Sequence, residues 1–473
     1  MTIASLPDHV LVEAFVFYSY IFAERDKGWD WQALARVCSR WRQIIFTNPR
    51  RLDCRLIFTE RSPTREMLDA FPNFPIEIIC LRNTPSLHDT REYLENILVA
   101  FERRDQARRI SLSGLTAPLL ETFVTMMQEP FPLLTCLQLM SNADFETAPV
   151  IPDAFLGRSA PPLKFLSLHG IAFPGLPKFL FSARNLVIFE LKQIPLSGYI
   201  SPEVLADNLS ALPRLVLLTI IFSSTTSRLD RTSRRPPPLT HTILPSLNFV
   251  TFRGTSRYLE DLVTQISAPL LSVAPIFFVN QHISDTPQLF RFISESEKLK
   301  SPKLVTIGLG TGVAGIIFDP FEGTPGLKYS SLRVVCEEPE WRVPLVAQLC
   351  SQSSSLLREV ERLNITGVGP YQLDWLDNVA QTQWLEIFRP FIAVGRLYVS
   401  HQLEILFVPA LKALSGEGAK DLLPALHSLI LEGGFQSHRF VDAAIVFFIL
   451  RRRFFGHPVT IYRGDRRFDL PSF

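Results

Sequence analysis

Through most of this chain, hydrophobic positions recur in one short phrase: apolar, two residues of any kind, apolar, one residue of any kind, apolar. The clearest copies are Leu134-Leu137-Leu139, Leu163-Leu166-Leu168, Leu186-Phe189-Leu191, Leu215-Leu218-Ile220 and Leu247-Val250-Phe252. Ile76-Ile79-Leu81 and Ala107-Ile110-Leu112 precede them. Leu271-Ala274-Ile276, Leu304-Ile307-Leu309, Tyr329-Leu332-Val334, Val360-Leu363-Ile365, Val394-Leu397-Val399 and Leu426-Leu429-Leu431 follow, making thirteen copies at spacings of 23 to 34 residues. Val459-Thr460-Ile461 fits a terminal strand. The last two apolar positions of each copy lie two apart, so they share one face of a β-strand. A single such strand cannot bury that face. Stacked parallel strands with returning helices share one continuous core.

The phrase resembles that of leucine-rich repeats, which run about 20–29 residues and carry Asn or Cys three places after the last leucine. Here only Asn142 holds that place; Ile171, Ile194 and Ser223 stand there in other copies. The pattern therefore predicts longer, helical returns. The expected fold is α/β, a curved leucine-rich-repeat-like solenoid over 54–473 with a long parallel sheet. Arg228 to Pro238 is basic and proline-rich, so 224–241 reads as a loop between repeats.

Residues 1–53 lack the repeat and follow helical spacing instead. Val10, Leu11, Ala14, Phe15, Tyr18 and Phe22 line one face of a helix that opens at Leu6-Pro7. Asp30 can cap a second helix, on which Leu34, Val37, Cys38, Trp41, Ile44 and Ile45 form one stripe, ended by Asn48-Pro49. Such a pair of helices could also serve only as a cap on the end of a solenoid.

Leu6-Pro7-x-x-Val10-Leu11 followed by Leu34-x-x-Val37-Cys38-x-x-Trp41 resembles an F-box, a helical module that docks on the Skp adaptor of cullin–RING ubiquitin ligases. Two features depart from it: the Phe15 to Trp31 segment lengthens the gap, and Arg50-Arg51-Leu52 replaces the usual Leu-Trp. Further along, residues 266–271, 277–281, 285–289, 383–391 and 422–426 resemble a large fungal family of F-box proteins with degenerate leucine-rich repeats. The resemblance implies a substrate receptor. Leu6, Pro7, Val10, Leu11, Leu34, Val37, Cys38 and Trp41 would face the adaptor, the cullin core would assemble through it, and the repeats would hold an unknown protein. The alternative is a repeat scaffold with a helical cap and no ligase role.

Composition narrows the partners. A formal charge of +2 gives no strong attraction to nucleic acid or to an acidic membrane, and neither is expected as a partner. Six scattered cysteines without a CxxC pair read as thiols of an intracellular, reducing compartment, cytoplasmic or nuclear. The run Ala443 to Leu450 before Arg451-Arg452-Arg453 is less than half the ~20 residues of a membrane span. It reads as a packed helix of the last repeat.

Chemistry is hard to find. Gly310-Thr311-Gly312-Val313-Ala314-Gly315 matches GxGxxG after a strand, but Pro320, Gly323, Pro325 and Gly326 break the helix a dinucleotide site needs. The histidines show no HExxH and no GxSxG occurs, so no metal, cofactor or catalytic residue is expected and the chain is not read as an enzyme. The variable positions inside the repeat would line one sheet face. There Phe165, His169, Leu217, Ile221, Phe249, Arg253, Phe277, Arg333, Arg362, Asn364, Arg396 and Tyr398 are the candidate substrate contacts, suited to a segment with aliphatic anchors and acidic character.

Overall fold

The computed structural model describes residues 6–23, 31–59, 64–81, 90–142, 148–160, 162–223, 241–279, 286–310, 312–319, 330–335, 341–368, 381–403, 407–415, 422–432, 439–464 and 466–467. The loop expected at 224–241 lies outside them except for His241, which is exposed. The chain forms two compact units, Met1–Tyr199 and Ile200–Phe473. A boundary near residue 54 was expected; at this level the N-terminal helices belong to the same unit as the first repeats.

In the first unit, three helices come first: α1 (Asp8–Ala23), α2 (Trp31–Ala35) and α3 (Ser39–Thr47). The second expected helix is thus two. Cys38 adopts an extended conformation (φ −159°, ψ 169°), and its Sγ accepts the Trp41 N–H at 3.5 Å, capping α3 and ending the continuity with α2. Leu11 and Phe15 from α1 and Ile44 and Ile45 from α3 are buried. Phe15 meets Trp41 edge-on at 4.8 Å. Arg40 fastens α3 to the start of α1 through Asp8 (2.6 Å) and the Leu6 carbonyl.

Six parallel strands follow: β1 (Leu56–Phe58), β2 (Ile76–Leu81), β3 (Ala107–Leu115), β4 (Cys136–Ser141), β5 (Phe165–His169) and β6 (Ile188–Ile194). Between them lie α4 (Thr64–Ala70), α5 (Thr90–Phe101), α6 (Ala117–Met126), the short 3-10 turn Phe155–Arg158 and α7 (Leu176–Leu180). The repeat sets the register. Leu137 pairs with Leu166 and Leu166 with Phe189; Leu139 pairs with Leu168 and Leu168 with Leu191. All six residues are buried, so each row is a stripe of shared core.

Two expectations fail here. β1 is a repeat strand that the pattern did not count. In β2 Ile78 and Cys80 are buried, opposite Ile110 and Leu112, and Ile79 is only half-buried. A one-residue change of frame exchanges the two faces of a strand.

The second unit opens with α8 (Pro202–Ser210) and β7 (Leu217–Phe222). Then come β8 (Thr242–Ile243), β9 (Phe249–Gly254), α9 (Ser256–Val263), β10 (Ile266–Ser267), β11 (Pro275–Phe278) and α10 (Pro287–Ser294). β7, β9 and β11 are parallel neighbours; β8 and β10 form a separate two-stranded pair. Next are β12 (Leu304–Gly310), β13 (Val313–Asp319), β14 (Ser330–Val335), α11 (Arg342–Gln352), α12 (Ser354–Leu357), β15 (Arg362–Val368) and α13 (Gln381–Phe388). β16 (Arg396–Val399), α14 (Val408–Ala413), β17 (Ser428–Leu431), α15 (Arg439–Phe454), β18 (Thr460–Arg463) and β19 (Arg466–Arg467) complete it. The terminal strand expected at Val459–Ile461 is β18, with Ile461 opposite Leu429.

The order of strands departs from a simple solenoid at one place. β11 pairs with β14, not with β12. β14 pairs antiparallel with β13, β13 antiparallel with β12, and β12 parallel with β15. The expected repeats at Leu304–Leu309 and Leu332–Val334 are both present, but in reversed spatial order around an antiparallel strand. From β15 to β18 the parallel register resumes, with Leu363, Leu397, Leu429 and Ile461 in one buried row.

Candidate functional site

Two kinds of surface carry the residues expected to bind. The first is the helical block of the first unit. Val10 and Val37 are exposed to 37% and 58%, and Pro7 and Cys38 are exposed as well. Leu6, Leu34 and Trp41 are half-buried. Leu11 lies in the core at 2% exposure, so its contribution is to hold α1 in place. Phe17 (67%) and Tyr18 are exposed too. Tyr18 was expected on the packed side of α1 and Phe17 was not singled out. The reason is that α1 is apolar nearly all round, so its spacing alone does not say which side faces water.

The block is joined firmly to the first repeat. Trp31 Nε1 donates to the Arg55 carbonyl at 3.0 Å. Its ring meets Phe71 and Phe74 at 5.7 and 4.9 Å, and Phe46 meets the same two rings at 5.4 and 5.7 Å. Beside this cluster, Arg55 bridges Asp53 and Glu77, and Arg108 reaches Asp53. Burial pushes the adjacent Cys54 thiol up to about 12, with the Asp53 charge adding to it, so it stays protonated.

The second surface is the sheet face turned away from the repeat core, considered within each unit. In the first unit Phe165 and His169 lie on it, half-buried, with Cys136 and Ile188 beside Phe165 and with Met140 and Lys192 beside His169. Lys192 Nζ pairs with Glu190 at 2.8 Å. Burial lowers the His169 pKa and Lys192 adds to that, against a hydrogen bond with Gln193; the ring is a neutral group near neutral pH.

In the second unit the register gathers the other candidates into rows. Leu217 lies beside Phe249. Ile221, Arg253, Phe277 and Arg333 follow one another across β7, β9, β11 and β14. Arg253 and Arg333 are exposed, and the Arg253 guanidinium lies 5.2 Å from the centre of the Phe277 ring. The adjacency of Phe277 and Arg333 arises from the reversed strand order. It could not be read from their 56-residue separation. Arg362 neighbours Arg396, and Asn364 neighbours Tyr398, across β15 and β16. Burial, with Glu432 alongside, pushes the Tyr398 phenol up to about 12, so it remains a hydrogen-bond donor.

The GxGxxG segment joins antiparallel strands. Gly310 pairs with Val313 and Gly308 with Gly315, so the glycines belong to a β-hairpin. A dinucleotide site needs a helix N-terminus in that place. Gly312 takes φ +77°, as the tight turn requires. No group of His, Cys, Asp and Glu suited to a metal occurs among the described residues.

Parallel strands in leucine register with helical returns define a leucine-rich-repeat-like protein of mixed α/β class. No family model and no curated protein matches this chain. Among solved structures, the leucine-rich repeat-containing protein LegL7 from Legionella pneumophila is similar over 72% of this chain and 96% of its own, at 13% identity and a TM-score of 0.28.

Proposed function

We propose that this chain is a substrate-recognition subunit of a Skp–cullin–F-box ubiquitin ligase, in which the N-terminal helices dock the Skp adaptor and the sheet faces turned away from the repeat core hold the target protein. The observation that carries this reading is that Pro7, Val10, Val37 and Cys38, four of the positions the F-box resemblance assigns to the adaptor, are each exposed on the helical block. Exposed apolar residues at those positions suit a docking role. The chain itself performs no chemistry; holding a target lysine near a charged conjugating enzyme makes transfer effectively intramolecular. Exposed Arg253, Arg333 and Arg396 among half-buried Leu217, Phe249 and Phe277 suit a target segment with aliphatic anchors and acidic residues.

Co-expression with a Skp adaptor tests the proposal. The two chains are expected to co-purify, and Val37→Glu, at an exposed position, is expected to abolish the complex while the melting temperature stays the same. Intact protein that fails to hold the adaptor sinks the reading. The packing of Trp31 and Phe46 on Phe71 and Phe74 favours a second one, a scaffold whose helices only cap the repeats. In that case Val37→Glu changes nothing.

A further inference from the structure

The last helix of the second unit has an unusual outer face. On α15, Ala443, Phe447, Leu450 and Phe454 fall within about 60° of one another around the helix axis. Ala443 is exposed, and the three large side chains are exposed to 52%, 50% and 79%. The opposite side anchors the helix: Ile445, Phe448 and Ile449 are buried, and the buried Arg452 donates to the Leu422 and Leu423 carbonyls at 3.2 and 2.9 Å. The apolar stripe therefore belongs to a fixed helix. Other helices of the unit present polar residues outward: Asp261 on α9, Arg291 on α10, Glu386 on α13 and Lys412 on α14.

Charge frames the stripe. Arg451 and Arg453 lie about 70–90° to either side of it. The Arg451 guanidinium lies 6.0 Å from the Phe447 ring and 5.0 Å from the Phe455 ring, and Arg453 is exposed. A second copy of this chain docked stripe to stripe would gather two more arginines at the same seam, and like charges oppose that. The three side chains also expose only roughly 350 Å². That is less than half of the ~800 Å² per partner of a stable protein interface. A planar anionic surface has no such minimum and complements both arginines. Apolar side chains that enter a headgroup layer with arginines snorkelling beside them form the pattern of an in-plane membrane helix. No helix among the described residues is long and apolar enough to cross a membrane.

Against the expectation drawn from net charge, we propose that α15 docks this protein reversibly on anionic lipid surfaces through Phe447, Leu450 and Phe454, with the exposed Arg453 on the headgroups and Arg451, whose Nε donates to the Ser415 carbonyl at 3.2 Å, beside them. The proposal uses none of the residues of the adaptor reading and does not rest on it. The test is co-sedimentation of the full chain with vesicles of phosphatidylcholine alone and of phosphatidylcholine mixed with phosphatidylserine. Binding is expected only to the anionic vesicles, falling with added salt. Arg453→Glu is expected to weaken it about tenfold or more, and Phe454→Ser roughly thirtyfold, with melting temperatures unchanged. Absence of binding, equal binding to both vesicles, or equal binding by the variants overturns the proposal. So does a concentration-dependent dimer that Phe454→Ser dissolves, since a second copy then covers the face.

Discussion

Gly315 has no room for a methyl group. A Cβ built there lies 2.1 Å from the Leu332 carbonyl oxygen and 2.8 Å from the Arg333 Cα, both backbone atoms of β14. Backbone cannot swing aside as a flexible side chain can. Gly315→Ala is expected to cost about 1–3 kcal/mol, from overpacking where β13 meets β14. The denaturation midpoint measures it. Gly312, with nothing within 4 Å of its would-be Cβ, differs in kind: its constraint is its positive φ alone. In the sequence these residues look like members of one glycine motif. In the molecule, one is fixed by a close strand contact and the other by a turn.

At the scale of elements, the repeat phrase was legible wherever both faces of a strand differ in chemistry. Leu137-Leu139 and Leu166-Leu168 alternate with polar or small residues, and their register follows directly. In β2 the run Ile76-Glu77-Ile78-Ile79-Cys80 places apolar residues on both faces, so two frames score alike by pattern. Packing decides: Ile78 and Cys80 are buried while Ile79 is half-exposed. Ile78→Ala is expected to cost about 2–5 kcal/mol, and Ile79→Ser about 1 kcal/mol or less. A larger loss for Ile79→Ser than for Ile78→Ala in urea titrations would place the core on the other frame. The division of α2 from α3 was hidden for another reason. Cys38 is not a usual capping residue, so its Sγ acceptor gave no boundary signal. Of the candidate contacts, membership of the sheet face turned away from the core could be read strand by strand. Adjacency could not, because β12 and β14 exchange places and bring Phe277 beside Arg333.

At the scale of each whole unit, the N-terminal helices are part of a core. Trp31 and Phe46 cover Phe71 and Phe74, and Trp31 also satisfies the Arg55 carbonyl. Removal of residues 1–53 uncovers that aromatic cluster and leaves the Arg55 carbonyl without the Trp31 donor. The truncated chain is expected to melt at a lower temperature and to aggregate, in contrast to a domain joined by a passive linker. Thermal unfolding followed by circular dichroism and light scattering distinguishes the two.

The exchange of β12 and β14 also bears on how the second unit reaches its native state. Repeat stacks fold as a nearly one-dimensional chain, each unit condensing on its neighbour. Arg362 on β15 finds Arg396 only 34 positions on, but Pro275 on β11 must wait for Ser331, 56 positions on. The intervening β12 and β13 are neighbours in sequence and form a short-range antiparallel pair, whereas β14 joins β11 only across that longer separation. Longer loop closure slows such pairing. Pairing past β11 is therefore expected to be slower than pairing from β15 to β18, so the reversed strand order places the longest-range closure of the second unit in its middle.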